Sequence, residues 1–289
     1  MPRIPDDMLD CVVYLYRNRQ DAIAGEGAGG CGFLITLPNN KSAQRPFVYV
    51  VTNKHIALEF GSMRLNTHDG KVDVVDLDAF YWTHHDDHDD VSICPIGLNT
   101  GLYRFIHLSR EFLVTRELIR QLDIGIGDDT FTVGRVVGSE GKQRNLPAAR
   151  FGNIAQMPGE KFLLSNGHLQ ESFLVKARSI SGFSGSPVFI QLLPSPRFSH
   201  VTISRENGGA YLLGINWGHL TDWEKVRDKS GELLSEETKV KSNVGMMLVV
   251  PAWKLAELID SEKSIIIRNE IEAKLLNKLE KKPPSIVQD

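Results

Sequence analysis

Cysteine is scarce in this sequence, and what there is does not pair. Cys11, Cys31 and Cys94 are odd in number, widely spaced and without a C-x-x-C, so neither a disulfide framework nor a thiolate zinc site is implied. Excess charge of one sign is lacking too. With 33 Lys and Arg against 36 Asp and Glu, the net charge is -3, far from the basic surplus that phosphate backbones and anionic membranes attract. A nucleic-acid or membrane partner is therefore not expected, and a polypeptide or small molecule is. No run approaches the ~18 apolar residues of a membrane span. The opening "MPRIPDDMLDCVVYLYRNRQ" has acidic residues ahead of a short apolar stretch, unlike the basic and apolar regions of a signal peptide. The expected compartment is cytoplasmic.

What the sequence does have is a globular composition, 42% hydrophobic and 24% charged over 289 residues, sufficient for one large domain or for two halves sharing an interface. Short β-branched and aromatic runs recur: "CVVYLY" (11–16), "GFLITL" (32–37), "FVYVVT" (47–52), "VDVVDLDAFYW" (72–82), "VSICPI" (91–96), "TFTVGRVV" (130–137), "SFLVKA" (172–177), "PVFIQLL" (187–193), "AYLLGINW" (210–217) and "VGMMLVV" (244–250). Gly, Pro, Asn and Asp clusters separate them, which is the pattern of many strands closing sandwiches or barrels. Two stretches read as helix. Residues 109–123 divide the strands into comparable groups, giving a first half of 1–108, a linker of 109–125 and a second half of 126–250. Residues 251–289 are a closing helix and tail, with Ile267, Ile271, Leu275 and Leu279 on one helical face. That stripe packs on its own domain or serves a regulatory partner or oligomer.

Several motifs offer chemistry. "GEGAGG" (25–30) fits G-x-G-x-x-G, but a strand rather than a helix follows, so no helix N-terminus is there to hold a pyrophosphate. "HHDDHDD" (84–90) is rich in possible metal ligands, yet no helical or strand period converges them. Its last residue, Asp90, stands immediately before the strand-like "VSICPI", which fixes its carboxylate at a strand edge. His55 sits in a short helical turn after "FVYVVT". In "SISGFSGSPVF" (179–189), Ser184 is flanked by glycines that allow a tight reversal with backbone N–H groups turned into one space. A serine attacks a carbonyl only when a base takes its proton and a carboxylate orients that base. The α/β-hydrolase arrangement fails: Ser186 replaces the second glycine, a strand follows, and Glu206 is the only acid between Ser184 and His219. The alternative chain order of His, Asp, Ser on paired β-barrels fits His55, Asp90 and Ser184.

These residues resemble the chymotrypsin-like serine peptidases, and more closely their disulfide-free bacterial branch. "YVVTNKHI", "DDVSICPI" and "GFSGSPVF" are similar to that family's histidine, aspartate and serine motifs, "GINWGH" to its Ser-Trp-Gly strand, and "VGMMLVVPAWKLAELI" to its last strand and helix. The resemblance spans roughly residues 10 to 260 and implies an all-β fold of two six-stranded antiparallel β-barrels with a C-terminal helix. It also implies peptide-bond hydrolysis without a metal or other cofactor. Carried over, Ser184 is the nucleophile, His55 the general acid and base, and Asp90 the residue fixing the histidine tautomer. The amides of Gly182 and Ser184 form the oxyanion hole, and Asn216, Trp217 and Gly218 line the cleft for an extended peptide. Arg178 falls where family members shape the primary specificity pocket.

There are departures. Phe183 stands where many animal members have an Asp ion-paired to a freed N-terminus, so that mode of activation is not expected. Cys31 falls at a half-cystine position whose partner is Ile56, which leaves a free thiol near His55. The charged segment 218–242 is longer than a hairpin needs and borders the expected cleft. Two rivals remain: a catalytically silent protease-fold module that binds peptides, and a metal-dependent hydrolase using residues 84–90.

Overall fold

The structure is a computed structural model that describes residues 3–280 except 40–45, 86–88, 100, 107, 164–166, 168, 178–181, 193–208 and 236, with side chains to residue 274. In the first half, β1 (Val12–Tyr16), β2 (Gly30–Leu37), β3 (Phe47–Thr52), β4 (Ser62–Asn66), β5 (Val72–Asp76), β6 (Thr83–His84) and β7 (Ser92–Ile96) form one antiparallel sheet in the order β5-β4-β1-β2-β3-β7-β6. Two short helices, α1 (Arg19–Ala24) and α2 (Lys54–Ala57), interrupt it, and α3 (Arg116–Gln121) lies between the halves.

In the second half come β8 (Asp129–Gly134), β9 (Ala148–Gln156), β10 (Phe162–Leu163), β11 (Leu169–Gln170), β12 (Phe173–Lys176), β13 (Pro187–Leu192), β14 (Gly209–Lys225) and β15 (Lys239–Pro251). Six of them close a barrel in the order β12-β15-β14-β13-β8-β9, while β10 and β11 pair only with each other among the described residues. The chain then runs through α4 (Ala252–Ile259) and α5 (Glu262–Glu280).

The mostly-β expectation holds, with one closed six-stranded barrel. The first half differs from the second six-stranded barrel expected: it is a seven-stranded sheet whose edges, β5 and β6, are not paired to each other among the described residues. β6 meets β7 only at Thr83↔Ile93 and His84↔Ser92, too short a ladder to carry the sheet round to β5.

Side-chain alternation explains why so many strands read as unbroken apolar runs. Successive residues of a strand point to opposite faces, and here both faces are covered. Val13 and Leu15 of β1, Leu34 of β2 and Val48 and Val50 of β3 enter a core of the first half. Val188 and Ile190 of β13 and Met247 and Val249 of β15 enter a core of the second. The intervening positions, among them Tyr14, Phe33, Tyr49, Val51, Phe131, Phe189, Leu212 and Leu248, join one cluster shared by both halves. That cluster is the seam along which the functional residues are set.

Two sequence expectations are adjusted and a third holds. Residues 218–242 form the outer end of a two-stranded ribbon and its connecting loop, because β14 and β15 stay paired from His219↔Met247 out to Lys225↔Lys239. The closing helix is two helices, broken at Asp260, the last-turn cap of α4. Ser261 then starts the next helix, its Oγ accepting from Ser264 N. The "GEGAGG" stretch leads into β2, and no helix follows it.

Phe131 and Phe189 stack at the seam with centroids 5.0 Å apart, each no more than 2% exposed. Phe189→Ala is expected to lower unfolding free energy by about 3–5 kcal/mol. Trp223→Ala on the exposed β14–β15 ribbon should stay within about 0.5 kcal/mol. Urea midpoints measure both, and equal effects would refute a seam core.

Candidate active site

The ladder between β3 and β7 runs in register to Thr52↔Ser92. Continued past the strand ends, it sets position 90 opposite position 54, next to His55, so a carboxylate two residues before β7 meets a histidine three residues after Thr52. The contact is made twice. His55 N donates to Asp90 Oδ1 at 3.0 Å, and His55 Nδ1 lies 2.6 Å from Asp90 Oδ2. One carboxylate thus grips both the backbone and the ring of the same residue, which fixes the ring's orientation and leaves Nε2 as its distal nitrogen.

Asp90 is held in turn. Asn53 Nδ2 donates to its carbonyl at 2.8 Å, and its own N–H donates to Gln170 Oε1 at 2.7 Å. Its carboxylate is buried while the His55 ring is about half exposed, 8% against 48%. That asymmetry suits a base that must meet a substrate and an orienting group that must not.

The other members of "HHDDHDD" diverge. His84 Nδ1 meets Ser92 Oγ at 2.6 Å. His85 lies between Asp89, 3.3 Å away, and Glu257, 3.2 Å away. Asp89, fully buried, accepts from Gln170 Nε2 at 2.7 Å and ion-pairs with Lys254 Nζ at 3.3 Å. Burial pulls the Lys254 ammonium down, but Glu257 and Asp89 together outweigh it and hold the group above its ordinary value. No group of three His, Cys, Asp or Glu side chains converges as metal ligands among the described residues. Asp86, Asp87 and His88 lie outside them.

The serine turn docks on the first half. Ser184 O accepts from Cys31 N at 2.8 Å, and Thr52 Oγ1 donates to Cys31 O at 2.7 Å. Ser184 is therefore stitched to the strand pair whose end carries His55. The second glycine is what permits this: Gly185 has φ +83°, and a Cβ on it would lie 1.9 Å from Cys31 O and 2.4 Å from Thr52 Oγ1. Ser184 is partly exposed, whereas Ser186 is fully buried, with its Oγ packed over Gly134. Only Ser184 is placed to meet a substrate. Among the described residues no hydrogen bond joins Ser184 to His55, and catalytic bonds of this kind commonly tighten only with substrate in place.

The expected cleft residues divide. Asn216 is 1% exposed and its backbone is committed to the turn: its O accepts from Gly185 N at 2.8 Å and its N donates to Ser186 O at 2.9 Å. Trp217 is 7% exposed and donates its indole N–H to Ser172 Oγ at 2.9 Å. Gly218 has open space where a Cβ would stand. Arg178 lies outside the described residues. Gln170, which braces Asp89 and Asp90 from the second half, was invisible in the sequence, since no local pattern ties a glutamine to an acidic run 80 residues earlier.

Searches of family models and of curated proteins found no match. Solved structures do match. The protease domain of MamO from Magnetospirillum magneticum superposes with a TM-score of 0.52 at 13% identity, over 89% of this chain and 99% of that one. The chain has the chymotrypsin-like protease fold. The chain is also similar to the HtrA-type protease AlgW with a tripeptide, at TM-score 0.46 and 16% identity over 88% of this chain and 64% of that one, and to Deg5, at 0.46 and 15% over 87% and 88%. The free, buried cysteines are consistent with the disulfide-free form of the chymotrypsin-like fold.

Gly185→Ala should force the Ser184 turn off β2 at a cost of about 2 kcal/mol or more, from strain at positive φ and overlap with backbone. Gly218→Ala, meeting nothing, should be near neutral. Denaturation midpoints of the two variants test this, and an unchanged Gly185→Ala would mean that the turn is not docked as described.

Proposed function

We propose that the protein is a trypsin-like serine endopeptidase acting through Ser184, His55 and Asp90 by way of an acyl-enzyme. The observation that carries this reading is the double grip of Asp90 on His55, beside a serine turn fitted by glycine against the strands leading to that histidine.

In the first half-reaction, Ser184 Oγ attacks the peptide carbonyl carbon and its proton passes to His55 Nε2. The carbonyl π electrons move to oxygen, where the N–H groups of Ser184 and Gly182 face the charge. Collapse of that intermediate breaks the C–N bond, and His55 returns the proton to the leaving amine. Water repeats the sequence on the ester, freeing the acid and restoring Ser184 Oγ–H. Asp90 keeps the proton on Nδ1 throughout and stabilises the imidazolium that forms.

The reading carries with it a polypeptide substrate, two barrel-like halves (1–108 and 126–250) joined by the linker 109–125, a cytoplasmic location and no cofactor. A regulatory partner or oligomer through the closing segment 251–289 belongs to the same reading. A second reading, a catalytically silent module that binds peptides, is favoured by one observation: no hydrogen bond links His55 to Ser184 among the described residues.

An organophosphonate probe separates the two. The endopeptidase reading expects a covalent adduct on the peptide carrying Ser184, absent in Ser184→Ala and indifferent to chelator. Removing Ser184 or His55 should cost about 10⁴ to 10⁶ in kcat, and Asp90→Asn about 10⁴. A folded wild type that never labels would establish the silent module.

A further inference from the structure

Phe183 stands between the oxyanion-hole glycine and the candidate nucleophile, where a buried apolar ring has no obvious part in hydrolysis. It is 0% exposed. The Arg150 guanidinium lies over its ring, 4.8 Å from the centroid, in the range of a cation–π contact. Below it, Gly134 at the end of β8 leaves room, because a Cβ there would come within 2.7 Å of the ring. The side chain is therefore clamped between β8 and β9.

The carbonyls of the turn are clamped as well. Phe183 O accepts from Asn216 Nδ2 at 3.1 Å and from Ser186 N at 3.0 Å. Gly182 O accepts from the Cys31 thiol at 3.3 Å, and Ser184 O from Cys31 N at 2.8 Å. Burial pushes the Cys31 thiol above its ordinary value, so it stays protonated and able to donate. The Phe183 carbonyl and the Ser184 N–H belong to one planar trans peptide and point in opposite directions. With the carbonyl drawn inward by two donors, the Ser184 N–H must face outward, and it bonds no other described residue. Gly182 N–H likewise bonds none among the described residues. Its peptide begins at residue 181, outside them.

From this geometry we infer that Phe183 is a positioning residue. Its locked ring and the Asn216 side chain together hold the Phe183–Ser184 peptide in the orientation that offers the Ser184 N–H to an oxyanion, so that this half of the hole is built by the fold itself. The inference rests on the hydrolytic reading above and deepens it. Where an ion pair to a new chain terminus would do the orienting in an activatable enzyme, here an apolar side chain in a fitted slot does it.

The test compares Phe183→Leu, which keeps the slot apolar but loses the ring, with Asn216→Asp, an isostere that sets an acceptor against the Phe183 carbonyl. Each full-length protein is assayed for kcat and KM on one peptide substrate, for its rate of labelling by an organophosphonate whose oxygen must enter the hole, and for its thermal midpoint. Loss of one oxyanion donor costs about 10² to 10³ in kcat. Phe183→Leu should therefore lose ~10²-fold in kcat and in labelling rate together, with KM within ~2-fold, and Asn216→Asp at least as much. Arg150→Met should fall in the same direction, and Arg150→Lys, which retains a cation, should recover most of the rate. A wild type that labels, alongside a Phe183→Leu variant that labels and turns over equally fast, would overturn the inference and leave the endopeptidase reading standing. So would a variant whose kcat, KM and thermal midpoint deteriorate together, since that marks a mere filler. A folded wild type that does not label at all overturns the endopeptidase reading, and the inference with it.

Discussion

The docking of one turn against one strand end is the constraint on which the rest of the site depends. Gly182 and Cys31 are 151 residues apart in sequence, yet three contacts bind their neighbourhoods: the Cys31 N–H to Ser184 O, the Cys31 thiol to Gly182 O, and Gly185 seated against Cys31 O and Thr52 Oγ1. A base on one half and a nucleophile on the other are useful only if the relation between halves is fixed to a fraction of an ångström. Backbone hydrogen bonds flanked by a glycine that admits no gap supply such a fixture better than long side chains would. Arg64, wholly buried, adds a second tie by reaching from β4 to the carbonyls of Gly141 and Lys142 in the second half.

Burial on both faces of the strands makes that fixture rigid. Residues pointing into each half's own core set the curvature of its sheet. The alternate residues set how the sheets meet, since they share a single close-packed cluster. A shift of one residue in any of β1, β2, β3, β13 or β15 would exchange those two populations at once. Register is therefore strongly specified just where the ends of β3 and β7 must bring His55 beside Asp90.

This double burial also determines what could be read in advance. Strands buried on both faces give continuous apolar runs, and those at 11–16, 32–37, 47–52, 91–96 and 187–193 correspond closely to β1, β2, β3, β7 and β13. β4 and β9 escaped notice because "SMRLN" and "AARFGNIAQ" carry polar residues on exposed or hydrogen-bonded positions; the ladders to β1 and β8 make them strands. The outer β14–β15 ribbon reads only as a long charged segment for the same reason, since cross-strand neighbours such as Trp223 and Lys241 are solvent-facing and give no apolar period. In the site, the order of His55, Asp90 and Ser184 and the glycines around the serine were legible as local motifs. Gln170, the thiol of Cys31 and the part played by the Asn216 side chain were not, because each acts across the seam on a residue that no spacing rule connects to it.

Asp89 and Asp90 show how far a single step along the chain can separate two identical side chains. They are chemically the same, adjacent and both buried, yet in the bend before β7, where Val91 N donates to Asp89 O at 2.8 Å, their side chains reach different partners. Asp90 meets His55, a neutral or cationic partner half open to solvent. Asp89 meets Lys254, Gln170 and His85 in a closed polar pocket under α4. Asp89 is engaged by the Lys254 ammonium at 3.3 Å, so its field is committed to a fixed partner away from His55. Asp90 faces no lysine or arginine in an ion pair among the described residues; its only such contact is with His55. Its field is therefore free to stabilise a charge that appears and vanishes on His55 during a reaction. Gln170 joins the two, donating to Asp89 with its amide N–H and accepting from the Asp90 backbone with its oxygen. The carboxylate paired with Lys254 is thereby tied through Gln170 to the backbone of the one that faces His55, and this difference in pairing, more than sequence position, suits Asp90 to the orienting role proposed for it.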